Sequence, residues 1–440
     1  MIIFIFQIMK PMLAVSSFID HAVNIWEKSP ETLPVFKQEY TCGEQQIRED
    51  NFQRFQEKLN ALKSKKNVRS LRKEDPGQSF FPHFKAFLQT VFDFEEDQLE
   101  IILAEDFKNV SKDFFYRARE FAPELSPENI YQGMRNVWIM NGLQLMMGVP
   151  VEITPSIFGY SMIYPYSDNF LDDSSVSDAE KKAFSKRFNK RLHGELVIPA
   201  SFTEEQLFKL VGMFEMQYNR QEFPKVYESL YAIQNGQTRS LELIKCNGLG
   251  DAVIREICFE KGGASVLADG YLIAGRLTYE QERALFGYGV YLQLLDDIQD
   301  VKEDTEGQTK TLFSCRDKNT SLGEFVNKTI HFGRTVMEEM RCFEGPDIEV
   351  MLRLMNRSIE MMIIESVGIN PDYYPEEFLA EMEKHSPLRF EYLRQKRSQS
   401  KSQRFSLFRK YFEQVPKGQA PKGQAPKEKK HFSPGAFLPS

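Results

Sequence analysis

The chain has 440 residues, of which 42% are hydrophobic and 27% charged, and its net charge is −7 at pH 7. These values are close to those of an average soluble globular protein and exclude a collagen, a disulfide-stapled scaffold and a polytopic membrane protein. No stretch reaches the roughly 20 apolar residues that span a bilayer. The five cysteines are scattered and never in C-x-x-C spacing, which predicts reduced thiols in a cytoplasmic protein.

Charge is divided unevenly along the chain. From Arg394 to the last residue twelve Lys or Arg stand against two Glu, a net +10, which leaves −17 for the rest. The acidic body argues against a nucleic-acid partner. In the tail, FSLFRKYFEQV has apolar residues on one helical side beside basic ones, and PKGQAPKGQAPKEKK is too poor in apolar residues to fold. We expect a disordered tail after this amphipathic segment. The segment either makes a peripheral contact with an anionic membrane or packs on the body as a last helix, and both alternatives stay open.

Apolar residues recur every three or four positions through most of the chain, which predicts helices. Ser126, Ser177 and Thr203 precede carboxylates in the pattern of helix N-caps. No alternating β-branched run competes, so the predicted class is all-α. We expect an N-terminal extension (1–47), a helical domain (48–393, with its core at about 127–366) and a basic tail (394–440). The predicted helices cover 45–63, 84–103, 111–121, 127–147, 157–171, 177–192, 203–218, 223–244, 250–259, 278–302 and 348–366.

Two segments place carboxylates inside otherwise apolar helices. The first, FGYSMIYPYSDNFLDD, carries Asp168, Asp172 and Asp173. At 100° per residue, Asp168 and Asp172 lie about 40° apart, and the same column runs back through Tyr164. The column is therefore apolar at its start and acidic at its end.

The second segment, GYGVYLQLLDDIQDVKED, repeats this arrangement. Asp296, Asp300 and Asp304 are spaced at i, i+4 and i+8, in a stripe that leads back through Leu292. Asp297 is rotated about 100° around the helix axis from Asp296, so its side chain is expected to contact a neighbouring group or a second ion.

Carboxylates stacked in this way repel one another, by a few tenths of a kcal/mol per exposed pair. Mg²⁺ relieves such repulsion, because it takes oxygen ligands and typically joins one or two carboxylates to substrate phosphates. We infer a cavity with a magnesium-diphosphate site at its mouth and apolar walls below, where the leaving diphosphate would generate a carbocation. The alternative is that both stripes are solvated faces of a non-catalytic, membrane-peripheral helical scaffold.

The second motif carries a family resemblance. YLQLLDDIQD is similar to the second aspartate-rich motif of prenyl synthases, with Gln293, Asp296, Asp297 and Asp300 at the matching positions. On these residues the chain resembles the class I isoprenoid synthases, which include prenyl diphosphate synthases, squalene and phytoene synthases and terpene cyclases. The resemblance implies a helical bundle around a central cavity, a prenyl diphosphate substrate, three Mg²⁺ ions with the bound diphosphate and, by analogy, a homodimer.

The first motif departs from the family. Its D-x-x-x-D-D spacing matches neither the elongating nor the head-to-head condensing enzymes, and no Arg-Arg pair follows it. Arg187 and Arg191 on the next helix would do part of the work of that pair. The departure favours a magnesium-dependent terpene synthase that ionises one prenyl diphosphate and cyclises or rearranges the carbocation. A prenyl diphosphate synthase and a head-to-head prenyltransferase stay as alternatives.

The resemblance also suggests residues that bind diphosphate. Lys261, followed by two glycines in EKGGASVLADGYL, resembles the broken helix that presents a Lys and free backbone N–H groups to diphosphate. Lys310 resembles the family's loop lysine, and Gln237 a polar pocket residue. Arg255 is a further candidate cation, with a surface charge as the alternative.

Aromatic residues near the first motif are candidate pocket residues. Tyr160 and Tyr164 precede it and Phe170 lies within it; residues one turn before the motif limit chain length in the family, so Tyr164 is a candidate floor or wall. Arg135 and Asn136 are polar residues in an apolar helix. They are expected either to line the pocket or to make buried hydrogen bonds.

Overall fold

The computed structural model describes residues 13–62, 76–173, 175–244, 248–315 and 321–396. Within these ranges it contains sixteen α-helices and no strand, so the all-α prediction is confirmed. The helices are α1 (Val15–Lys28), α2 (Cys42–Leu62), α3 (Pro76–Phe92), α4 (Glu96–Ile102), α5 (Glu105–Phe121), α6 (Pro127–Met146), α7 (Pro155–Asp172), α8 (Asp178–Leu192), α9 (Phe202–Gln217), α10 (Pro224–Ser240), α11 (Asp251–Ala274), α12 (Tyr279–Gln299), α13 (Val301–Gly307), α14 (Gly323–Glu339), α15 (Ile348–Ile369) and α16 (Glu376–Glu383).

Side-chain caps determine several helix starts. Ser126 and Ser177 accept hydrogen bonds from the backbone N–H three residues on, as predicted. The cap of α9 is Ser201 and not Thr203, so that helix starts earlier than predicted. The predicted helix 84–103 is two helices, because the backbone turns at Asp93, whose φ is 54°.

The centre of the fold is the antiparallel pair α11 and α12. α11 also packs against α10, α1, α6 and α7, and α12 against α14 and α15. The pair approaches closely through glycines: a Cβ on Gly263 or Gly270 would collide with Phe286 or Leu285. α11 runs on to Ala274, where Gly275 ends it at a φ of 72°, so the predicted helix 250–259 was too short.

The N-terminal segment contributes to the same core. α1 lies inside the predicted extension, yet Phe18 and Trp26 are buried against α11, α12 and α14. α1, α14 and α16 are helices that the sequence did not predict. No described helix is long and apolar enough to cross a membrane. The amphipathic segment that contains Phe405 and Phe412 lies outside the described residues, as does the low-complexity tail.

Candidate active site

A cavity of about 1920 Å³ lies beside the α11–α12 pair. This volume is well above the 300–1,000 Å³ of ordinary small-molecule pockets. Its walls come from α6, α7, α8, α10, α11, α12 and α15, with α2 to α5 closing one side. Most lining side chains are aliphatic or aromatic, so the cavity is suited to a large hydrocarbon.

Three helices each line this cavity with residues at every fourth position. Residues i and i+4 lie on the same face of a helix, so each series forms a stripe about 6 Å per step in length. The stripes on α7 and α12 have carboxylates at one end, whereas the stripe on α11 has a lysine at one end and an aspartate at the other. The stripes are Tyr160, Tyr164 and Asp168 on α7, Lys261, Ser265 and Asp269 on α11, and Tyr288, Leu292, Asp296 and Asp300 on and just after α12.

The first motif lies where α7 ends. Asp168 lines the cavity and accepts hydrogen bonds from Gln132 Nε2 (3.3 Å) and Ser167 Oγ (3.2 Å). The Asp172 side chain lies outside the described part of the structure. Asp173 is exposed and does not line the cavity; it accepts hydrogen bonds from the Ser175 N–H (2.8 Å) and Oγ (2.6 Å), which lower the pKa of Asp173.

Two carboxylates of the second motif line the cavity, and a third is buried at the helix interface. Asp296 and Asp300 line the cavity. Asp297 is buried and accepts a hydrogen bond from Gln293 Nε2 (2.8 Å), its other oxygen has no partner, and burial raises the pKa of Asp297 to about 8. Burial, followed by the charges of Asp300 and Asp296, raises the pKa of Asp304 to about 7.

Lys261 lines the cavity opposite this motif, together with Gln237 and Gln293. Its charge lowers the pKa values of Asp297 and Asp304, so it lies within electrostatic reach of the second stripe. The expected break after Lys261 is absent, because α11 is continuous there. The glycine after Lys261 lets α12 approach: a Cβ on Gly262 would collide with Gln293.

The other candidate cations lie away from the cavity. Arg187 is paired with Glu204, Arg191 with Glu215 and Arg255 with Glu27, and none of the three lines the cavity. Each of these arginines pairs with a glutamate on another helix, which its spacing within its own helix could not reveal.

Two further candidates, Lys310 and Phe170, do not line the cavity. Lys310 follows α13, where its backbone N–H donates to the Leu243 carbonyl (2.9 Å), and it does not line the cavity. Phe170 packs on Phe184 with ring centroids 4.5 Å apart, and it is Phe184 that lines the cavity. Phe170 therefore backs the wall without forming it.

Several cavity residues were not identified from the sequence. Asp269 and Tyr288 line the cavity, and the only signal for Asp269 was a lone carboxylate in an apolar helix. Lys108 and Lys112 on α5 also line it, in addition to Arg135 on α6, which was a candidate pocket residue from the sequence. These cations add a second source of positive charge to the lining.

The carboxylates suit magnesium, which prefers oxygen ligands. After burial, the charges of Asp300 and Asp296 are the next largest causes that raise the pKa of Asp304, and a divalent cation would relieve this repulsion. The site is not a closed cage: among described residues, three ligand atoms come within 4.8 Å of one another only at Glu39, Glu381 and His385, outside the cavity. An open row of carboxylates fits an ion that keeps waters and shares substrate phosphates.

Comparisons with known proteins give structural matches only. No family model matches the chain, and no curated protein matches its sequence. A geranylgeranyl pyrophosphate synthetase from the archaeon Geoglobus acetivorans is similar at 13% identity and a TM-score of 0.36, over 58% of this chain and 99% of that one.

Two further solved structures are similar at the same level. A geranylgeranyl pyrophosphate synthetase from Pyrococcus horikoshii has 15% identity and a TM-score of 0.32, over 67% of this chain and 99% of that one. A decaprenyl diphosphate synthase from Rhodobacter capsulatus has 13% identity and a TM-score of 0.32, over 73% and 100%. Likeness at this level does not assign an activity, which has to come from the cavity itself.

Proposed function

We propose that this protein is a magnesium-dependent class I terpene synthase, which ionises a prenyl diphosphate and cyclises or rearranges the resulting carbocation. One observation carries the proposal: Asp168, Asp296 and Lys261, from three different helices, line the same large, mostly apolar cavity. The antiparallel packing of α7 and α12 on α11 supports a position for all three at one end of it. Opposite charges at one end and hydrocarbon walls beyond suit a substrate with an anionic head and an apolar tail.

Each group has a separate task in this proposal. Asp168, Asp296 and Asp300 would hold magnesium, which when bound supplies Lewis-acid stabilisation of the departing diphosphate. Lys261 would neutralise charge on that group directly, as an ammonium donor. The aromatic faces of Tyr160, Tyr164 and Tyr288 would exclude water and attract a carbocation, at about 0.5–2 kcal/mol per favourable contact.

A second candidate, prenyl transfer to a second diphosphate, also has support in the cavity. Lys108, Lys112 and Arg135 line it in addition to Lys261, and a transferase needs cations for two diphosphate groups. The solved structures that the chain is similar to are prenyl diphosphate synthases by name. Head-to-head transfer belongs to the same alternative.

One assay separates these functions. Purified protein is incubated with geranyl, farnesyl, geranylgeranyl and longer diphosphates, each with and without isopentenyl diphosphate. Diphosphate release and products are measured in Mg²⁺ and in EDTA. A terpene synthase releases diphosphate from one substrate alone and gives hydrocarbons or alcohols, and a transferase requires the second substrate. A non-catalytic scaffold shows neither turnover nor magnesium-dependent binding of any of them, which would refute the proposal.

A further inference from the structure

Asp269 is a buried carboxyl group in the cavity wall, at the other end of the α11 stripe from Lys261. It lines the cavity with only 1% of its surface exposed, and it accepts a hydrogen bond from Asn136 Nδ2 (3.3 Å). After burial, the charge of Asp269 is the largest contribution that raises the pKa values of Tyr164 and Tyr288. Asp269 therefore lies close to two aromatic residues of the cavity wall.

A carboxyl group is costly at this position. Burying a polar group in apolar surroundings is unfavourable unless it is fully hydrogen-bonded, and a charge costs more. The Asn136–Asp269 contact joins α6 to α11, but an amide at position 269 could accept the same hydrogen bond without carrying a charge. The hydrogen bond from Asn136 therefore does not by itself explain why position 269 has a carboxyl group and not an amide.

The helix geometry places Asp269 far from the charged end of the cavity. It lies eight residues after Lys261 on α11, about 12 Å along the axis at 1.5 Å per residue. Asn136 also donates to Ser161 Oγ (3.2 Å), and Ser161 precedes Asp168 by seven residues, about 10 Å along α7. Two helices thus independently place this polar group about 10–12 Å beyond the diphosphate end.

We propose that Asp269 is the base that ends the reaction, by removing a proton from the carbocation in the apolar part of the cavity. This inference rests on the proposed function. A C–H bond next to the cationic carbon breaks, its electron pair becomes the new C=C bond, and the proton passes to an Asp269 carboxylate oxygen. The carboxylic acid so formed returns its proton to solvent after the product leaves.

Burial supports this role. It holds the pKa of Asp269 well above its usual range, so the carboxylate is a strong base, and it acts in those molecules in which Asp269 is deprotonated when the substrate binds, a fraction that rises with pH. A carboxylate in dry surroundings is a stronger base than one in water. A carbocation that reaches Asp269 is therefore deprotonated readily.

The position of the base also separates the two candidate functions. In prenyl transfer, both the new bond and the lost proton lie within a few bonds of a diphosphate group, and so at the charged end. A base 10–12 Å away can act only if positive charge migrates along the chain, as it does in cyclisation or rearrangement. Asp269 thus favours the terpene synthase.

The test compares two substitutions of buried carboxyls by amides of the same shape. Asp269→Asn retains the hydrogen-bond acceptor for Asn136 and removes the base. Glu282→Gln is the matched control: Glu282 is buried on α12, paired with Lys225, and does not line the cavity. Both variants are incubated with each prenyl diphosphate in Mg²⁺, and diphosphate release and product composition are measured.

We expect Asp269→Asn to release diphosphate within about threefold of the wild-type rate, while the share of the main product falls at least about tenfold. Alkenes deprotonated elsewhere, or alcohols, replace it. Glu282→Gln keeps the wild-type products. An unchanged product composition in Asp269→Asn overturns the inference, as does a loss of diphosphate release in parallel with product, which indicates a structural role. A wild-type protein inert toward every prenyl diphosphate overturns both this inference and the proposed function.

Discussion

The two carboxylate motifs of the cavity are supported very differently. Asp296 and Asp297 lie in α12, which is packed closely on α11, and Asp304 lies in α13; burial raises the pKa values of Asp297 and Asp304. The first motif lies where α7 ends, and its last carboxylate, Asp173, is exposed and bonded within its own turn. The second motif thus carries a cost in the folded protein that a bound cation would offset, whereas the exposed Asp173 of the first motif does not. This difference predicts which substitutions affect catalysis, stability or neither.

The largest expected effect concerns the carboxylates of both motifs that line the cavity. Asp168→Ala and Asp296→Ala each remove a carboxylate that lines the cavity, and we expect a loss of turnover of about 10³-fold or more, because charge stabilisation at the leaving group is lost. The measurement is diphosphate release at saturating Mg²⁺, with circular dichroism to show that the fold is intact. Activity above a tenth of wild type in either variant would contradict the assignment of that residue to the metal site.

The next effect tests the packing that holds the second motif. A Cβ on Gly289 would collide with the Gly262 carbonyl oxygen, and backbone atoms cannot move aside. We expect Gly289→Ala to destabilise the protein by about 1–3 kcal/mol or more, measured by urea unfolding. Gly212→Ala in α9 is the control, since a Cβ there meets no atom within 4 Å. That change should be neutral or stabilise by up to about 1 kcal/mol. Equal effects of the two substitutions would show that the close approach of α11 and α12 is not required.

The helices could be predicted because periodicity and capping residues are local. The stripes of Asp168 and of Asp296 with Asp300 followed from the same periodicity. Tertiary contacts were not accessible in this way: the glycine pair after Lys261 resembles a helix break unless one knows that Gly289 packs against it. The ion pair that occupies Arg187 is equally hidden, because its partner lies on another helix.

Lone residues posed a different problem. Asp269 has no carboxylate at i±4, and a single acid in an apolar helix has no pattern to distinguish it from a surface position. Only the assembled cavity shows that it lies among Tyr164 and Tyr288. The residues deeper in the cavity were therefore less predictable from the sequence than the charged residues of the two motifs.

A smaller effect concerns pH. The pKa of Asp297 is about 8 in the folded protein against 3.8 for an ordinary aspartate. Between these values the folded state holds a proton that the unfolded state releases, so the free energy of unfolding falls as pH rises. Asp297→Asn removes the titrating group, so the stability of this variant lacks this dependence on pH. In EDTA we expect it to match wild type near pH 4 and to exceed its stability at pH 8, by on the order of 1–3 kcal/mol.

Urea unfolding across pH 4–8 measures this difference. Asp173→Asn serves as the control, because Asp173 is exposed and its hydrogen bonds to Ser175 lower its pKa, the opposite direction from Asp297. Its stability curve should run parallel to that of the wild type. A parallel curve for Asp297→Asn as well would show that Asp297 is not held protonated by burial.

The smallest expected effect concerns Asp173, the exposed carboxylate of the first motif. The sequence pattern makes Asp173 a magnesium ligand, whereas its hydrogen bonds to Ser175 make it a turn residue. We expect Asp173→Ala to cost about 0.5–1 kcal/mol of stability through the lost turn contacts, with diphosphate release within about threefold of wild type. A loss of activity that excess Mg²⁺ restores would instead show that the end of α7 rearranges to bring Asp173 to the metal. In that case the first motif is the mobile half of a site whose fixed half is Asp296 and Asp300.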